Sequence, residues 1–156
     1  MASIFTRIID GEIPGRIIWR DATCVAMIDI RPLNRGHVLV VPVTEVDQWT
    51  DLPTEVVTHC TGVAHAVGRA QMAVLSPARI GLMVAGFEVP HTHLHVVPLE
   101  GMGHLDFAQA DPDPDPADLD AVADLLRDAL RAGGVHRSDL NGPPTGVRLP
   151  VAGSRD

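Results

Sequence analysis

Three histidines at every second position, in His91-Thr92-His93-Leu94-His95-Val96-Val97-Pro98, restrict this chain more than any other feature. On an extended strand alternate side chains share a face, so the three imidazoles project together, roughly 6–7 Å apart, with Thr92, Leu94 and Val96 on the other side. A single histidine in a strand is commonly a satisfied polar residue. Three on one face serve no packing purpose, and they repel one another once protonated. The run therefore predicts a strand over His91–Val97 that carries chemistry. Two chemistries suit it. Histidines at i and i+2 chelate zinc or copper, given a further ligand such as His37 or a carboxylate. Alternatively, a neutral imidazole attacks phosphorus while neighbouring donors hold the phosphate oxygens and protonate the leaving group. Crowding favours that second chemistry, because a positive neighbour keeps the attacking ring neutral.

The remaining sequence predicts one domain around this strand. At 156 residues and 46% hydrophobic, the chain can bury a core without disulfides. Cys24 and Cys60 are expected as buried thiols. Ser3 caps a short helix over Ile4–Asp10, with Ile4, Phe5 and Ile8 inward. Strands are expected over Ile17–Arg20 and Cys24–Ile30, joined by a hairpin connection at Asp21-Ala22-Thr23, and over His37–Pro42 and Ile80–Ala85. Val56, Cys60, Val63, Val67 and Ala70 make the apolar stripe of a helix over residues 54–73, which leaves His65 on the solvent side. Asp111–Pro116 resembles a calcium loop in its alternating Asp, but Pro116 and Val122 stand where that loop needs Gly and Glu. Instead Asp115 caps and Pro116 opens a helix to Ala132, burying Leu119, Val122, Leu126 and Leu130. Residues 133–156 show no periodicity and read as an irregular tail. There is no apolar run of about 18 residues and no signal-like N-terminus, so a soluble cytoplasmic protein is expected. The net charge of −8, with no lysine, opposes binding of DNA or RNA polymers.

The segment HTHLHVV resembles the His-φ-His-φ-His-φ-φ signature (φ, hydrophobic) of the histidine triad (HIT) family of nucleotide hydrolases and transferases, with Thr92 a departure at the first φ. SIFTRIIDGEIPGRIIW, CVAMIDIRP and GHVLVVP are similar to that family's first helix, hairpin and third strand, in order and spacing. The resemblance implies an α+β fold. A five-stranded antiparallel sheet would carry one long helix and short flanking helices, and two chains would pair as a homodimer through the helix and sheet edge. The domain would span residues 1–132, with core motifs in 3–100, a linker at 106–116 and a C-terminal helix at 117–132. The resemblance further implies attack by His93 on the α-phosphate of a purine nucleoside monophosphate conjugate, forming a nucleotidyl-histidine that water resolves; for this chain no cofactor and no metal are expected. His95 would contact phosphate, the His91 carbonyl would orient His93, and His37 would stand behind the triad. Asp29 would accept hydrogen bonds from the ribose hydroxyls, and Phe5, Ile8, Met27 and Ile30 would wall the base.

Departures place the chain in a HINT-like branch without the zinc cysteines. Ser3 and Thr6 stand where many relatives have the Cys of a zinc site, and Glu45 replaces a common histidine. A shortened loop puts Glu88 where a leaving-group Ser is usual, so Glu88 is expected beside the nucleotide, able to meet a cationic leaving amine. Two other readings are a nucleotide-binding module that has lost catalysis, and a metal-binding protein using His37, His91, His93 and His95.

Overall fold

The computed structural model describes residues 1–133. The expectation for the tail beyond Gly133 lies outside these residues. Helix α1 (Ile4–Ile9) leads into the hairpin of β1 (Ile17–Arg20) and β2 (Cys24–Ile28), then β3 (Val38–Pro42), the long helix α2 (Thr54–Leu75), β4 (Arg79–Val84), β5 (Leu94–Leu99) and α3 (Pro116–Ala132). Every strand pairing is antiparallel, in the order β1-β2-β3-β5-β4, so the fold is α+β with one five-stranded sheet.

Each face of the sheet has a different task. Ala26, Ile28, Val38, Val40, Leu94 and Val96 face the stripes of α2 and α3 and form the main core. The alternate residues Val25, Met27, Leu39 and Val41 meet Phe5 from α1 in a smaller cluster on the opposite face. Strands β2 and β3 are buried throughout, which is why they read as continuous apolar runs rather than alternations. Leu119, Val122, Leu126 and Leu130 are all buried, and the Asp115 side chain accepts the Ala117 N–H at the head of α3. Leu126 has no exposed surface. Leu126→Ala should therefore cost about 3 kcal/mol of stability, through lost transfer energy plus a cavity, measurable by urea denaturation; a loss below about 1 kcal/mol would mean that α3 is not part of the core.

The hairpin connection is built on Asp21. One carboxylate oxygen accepts the N–H groups of Thr23 and Cys24, and the other accepts Trp19 Nε1–H at 2.7 Å and pairs with His59 Nε2 at 2.7 Å. Burial alone would raise the Asp21 pKa, but these hydrogen bonds together hold it below the ordinary value. Cys24 and Cys60 are free and buried. His65 is exposed, as its place on α2 predicts.

Several expectations need correction. Strand β2 stops at Ile28, so Asp29 and Ile30 lie in the loop after it, and Ile30 is 62% exposed. In α1 the buried residue is Phe5, whereas Ile4 is half exposed. Strand β5 begins at Leu94 and not at His91. The amide of Thr92 donates to the Val46 carbonyl instead of a neighbouring strand, and the Thr92 hydroxyl donates to the same oxygen at 2.9 Å. That second bond gives a hydroxyl a purpose at a position where a hydrophobic residue is usual. The segment 106–116 is also more than a linker: Phe107–Gln109 form a turn of 3-10 helix, and the Asp111 amide donates to the Pro32 carbonyl.

Candidate functional site

His95 lies in β5 opposite Leu39 of β3 and Met83 of β4, on the sheet face that α1 only partly covers. His93 precedes the strand by one residue. Its ring centroid is 4.8 Å from that of His95 and 5.0 Å from that of Phe5. Thus the structure brings His93 and His95 together. His91, beyond the bend, turns toward α1 and the end of β3.

The hydrogen bonds fix the tautomer of each ring, because a carbonyl can only accept and an amide N–H can only donate. His93 Nδ1 lies 2.7 Å from the His91 carbonyl oxygen, so Nδ1 carries the proton and Nε2 keeps a free lone pair. His37 Nδ1 accepts the Leu33 N–H at 3.0 Å, so its proton is on Nε2. That Nε2–H donates to His95 Nδ1 at 2.9 Å. His95 therefore presents Nε2–H. Burial, with His95 and then His93 adding repulsion, pushes the His37 pKa down to about 3. Burial, followed by repulsion from His93, lowers His95 to about 4. Both rings are neutral at pH 7. The arrangement sets one unshared imidazole lone pair, on His93, beside one neutral imidazole donor, on His95.

Two cavities meet at this pair. The larger, of about 270 Å³, runs between α1 and the loop after β2, and Phe5, Ile8, Met27, Asp29 and Ile30 all line it. Its walls are mostly apolar with a small set of polar groups, Asp29, His93 and His95 among them, a composition typical of small-molecule sites. The smaller, of about 180 Å³, opens on the other side beneath the loop of Gly86, Phe87 and Glu88. Glu88, His93, His95 and Phe107 line both. Phe107 packs edge-on to His95 with centroids 5.1 Å apart. Sequence reasoning missed Phe107, because it stands inside an Asp- and Pro-rich stretch with no periodic signal. Arg16, which also lines the larger cavity, was missed too.

Asp29 hangs over the larger cavity with one oxygen accepting the Arg31 N–H at 2.8 Å. Burial raises its pKa to about 6, with nearby Glu88 adding to the shift and the Arg31 amide opposing it. The remaining lone pairs are available to a ligand's hydroxyl groups.

A metal could be asked to occupy four places. Asp29, His37 and His95 present donor atoms within 4.8 Å of one another, as do Asp21, Cys24 and His59. The second group is a structural knot whose carboxylate is already saturated. The four-histidine site does not assemble, since both ring nitrogens of His91 are engaged elsewhere, with Ser3 Oγ at 2.7 Å and the Pro42 carbonyl at 2.8 Å. The fourth place is beside His91, where Ser3, Thr6 and Glu45 converge. Two neutral hydroxyls are poor partners for zinc, which takes thiolate, imidazole and carboxylate ligands. These residues do not fit a zinc ion.

Comparison with known proteins gives consistent matches. The HIT domain family model matches residues 10–102. An uncharacterized HIT-like protein of Mycobacterium tuberculosis is 33% identical over 135 residues, which is 83% of this chain and 94% of that protein. The adenosine 5'-monophosphoramidase of Saccharomyces cerevisiae is 30% identical over 98 residues, 62% of each chain. Among solved structures, a zinc-bound histidine triad family protein from Mycobacterium smegmatis superposes with a TM-score of 0.74 at 32% identity, covering 86% of this chain and 96% of that one.

Proposed function

Because the chain belongs to the histidine triad (HIT) family, we propose that it is a nucleotide hydrolase or transferase. Its reaction would cleave a nucleoside phosphoramidate, or a related nucleotidyl conjugate, through a nucleotidyl-His93 intermediate. The observation that carries this reading is the His93 ring, held by its Nδ1–H on the His91 carbonyl at 2.7 Å with Nε2 left free where the two cavities meet. A yeast relative named for adenosine 5'-monophosphoramidase activity supports the substrate class. The larger cavity would take a purine nucleoside, with Asp29 on the ribose and Phe5, Ile8, Met27 and Ile30 around the base. The phosphate would then lie against His93 and His95, and the leaving group would enter the smaller cavity.

The first step forms the bond from His93 Nε2 to the α-phosphorus and breaks the phosphorus–nitrogen bond. The departing nitrogen takes one proton from solvent and leaves as an amine. His95 Nε2–H donates to a phosphate oxygen as charge moves onto it, a contribution worth most when the donor is already in place. Water then attacks phosphorus, the bond to His93 breaks, the nucleoside monophosphate leaves, and the proton that water loses returns to solvent. His93 recovers its lone pair without ever releasing its Nδ1 proton. Mixing the protein with an adenosine phosphoramidate, quenching in base and measuring intact mass should reveal an adenylyl adduct, located on His93 by peptide mapping. If no adduct forms although adenosine binds, the chain is a nucleotide-binding module without turnover.

Asp29 gives an independent check of the nucleoside site. Hydrogen bonds from ribose hydroxyls favour the ionised carboxylate, and ionisation of Asp29 in the empty site is centred near pH 6. Binding of adenosine, which has no phosphate to titrate, should therefore tighten by about five- to tenfold from pH 5 to pH 7. Calorimetry should show that Asp29→Asn binds weakly with no such pH dependence. A wild-type affinity that is flat across this range would remove Asp29 from the ribose.

The same reading includes a homodimer. β4 is an edge strand, Leu82 on it is 53% exposed, and Met72 of α2 is 45% exposed beside it. That unpaired edge and apolar flank are suited to a second copy.

A further inference from the structure

We propose that Ser3, Thr6 and Glu45 form a hydrogen-bonded node that fixes His91 without a metal and, through the His91 carbonyl, positions His93 for attack. The proposal rests on the hydrolase reading above for its catalytic consequence, though not for the node itself.

The protons can be assigned one by one. A Glu45 carboxylate oxygen accepts the Thr6 hydroxyl and the Ser3 backbone N–H, the latter at 3.0 Å. Ser3 Oγ accepts the Thr6 N–H at 3.1 Å, which caps α1. The Ser3 hydroxyl proton then has His91 Nδ1 at 2.7 Å, against Thr6 Oγ1 at 3.3 Å, so it goes to the histidine. His91 Nε2–H donates to the Pro42 carbonyl at 2.8 Å. The ring is thus held at both ends, and it is fully buried. Its own carbonyl is the acceptor that sets His93 Nδ1–H. Phe5, in the first turn of the capped helix, packs edge-on to both rings, with centroids 5.9 Å from His91 and 5.0 Å from His93.

These contacts give one node three dependants: the cap of α1, the aromatic wall of the larger cavity, and the acceptor that orients the nucleophile. A metal bound by thiolates could hold the same elements together. Here the two hydroxyls and one carboxylate do so by hydrogen bonds alone, and Ser3 is the residue that joins helix to histidine. It acts through His91 and touches no substrate, so it is a positioning residue.

The experiment compares wild type, Ser3→Ala, Ser3→Thr and Glu45→Gln in the full chain. Turnover of an adenosine phosphoramidate gives kcat and KM, and nitrogen-15 NMR gives the His91 tautomer. Ser3→Ala should lower kcat about tenfold or more, since small misplacements of a nucleophile are costly, with a smaller change in KM. Its His91 should lose the single Nε2–H tautomer. Ser3→Thr, which keeps the hydroxyl, should recover most of both, and Glu45→Gln should fall between. Equimolar zinc or excess EDTA should leave the wild-type melting temperature and kcat unchanged. The proposal is overturned if Ser3→Ala keeps wild-type kcat and tautomer. It is also overturned if zinc binds stoichiometrically and its removal lowers kcat. Should Ser3→Ala fail to fold, Glu45→Gln and Ser3→Thr decide by the same two readouts. Should wild type turn over no phosphoramidate, the hydrolase reading fails, and an unchanged tautomer in Ser3→Ala would still overturn the node.

Discussion

His93→Ala is expected to lower kcat for an adenosine phosphoramidate by about 10⁴-fold or more, the scale seen when a covalent nucleophile is removed. Nothing else in the site can replace it. His95 offers a proton and no lone pair, because its Nδ1 accepts from His37. His37 is buried with both nitrogens engaged, and so is His91. Binding of adenosine monophosphate should change by only a few-fold in the same variant, since the ribose and base contacts proposed for the larger cavity do not involve His93. Steady-state kinetics together with calorimetry separate the two effects. A residual rate within tenfold of wild type would mean that water attacks phosphorus directly and that no histidine adduct lies on the path.

His95→Ala is expected to cost about 10²- to 10³-fold in kcat, the range found on removing one preorganised donor to a developing anion. The loss should fall mainly on kcat, because in the proposed reaction negative charge on the phosphate oxygen would grow as the bond to His93 forms. His95→Gln, which can offer an amide N–H from a similar reach, should recover part of it. A second effect comes from behind the ring. His37 Nε2–H loses its acceptor in His95→Ala, and an unpaired buried donor costs about 1–3 kcal/mol, which urea denaturation should register. Equal changes in kcat and KM, or none in either, would show that His95 is not the phosphate donor.

Much of this site was legible in the sequence because its key information is local. Alternation placed His93 and His95 on one side, and the β-branched run after His37 announced the strand that lies behind them. The stripes of α2 and α3 followed from spacing alone. What sequence could not show was the bend at His91, since alternation looks the same whether or not a backbone finds a strand to pair with. Thr92 turns its amide to Val46, and β5 starts three residues after His91 as a consequence. The node of Ser3, Thr6, Glu45 and His91 joins positions up to 88 residues apart, so only folding shows that these substitutions answer one another. Phe107 was hidden for a different reason. A single aromatic residue in a polar stretch carries no periodicity, and its value depends entirely on where Asp111 and Pro32 tie that stretch down.

The amide of Leu33 has a consequence larger than its size. Two facing imidazoles form a degenerate pair, because either ring can give the proton to the other and the pair can flip as a unit. The Leu33 N–H occupies His37 Nδ1 and so lifts the degeneracy. From there the hydrogen bonds run in one sense only, from main chain to His37 to His95 and out into the site. Polarity at the His93–His95 pair is thus written into the backbone, where side-chain substitution cannot reach it. Any residue except proline at position 33 would transmit the same instruction.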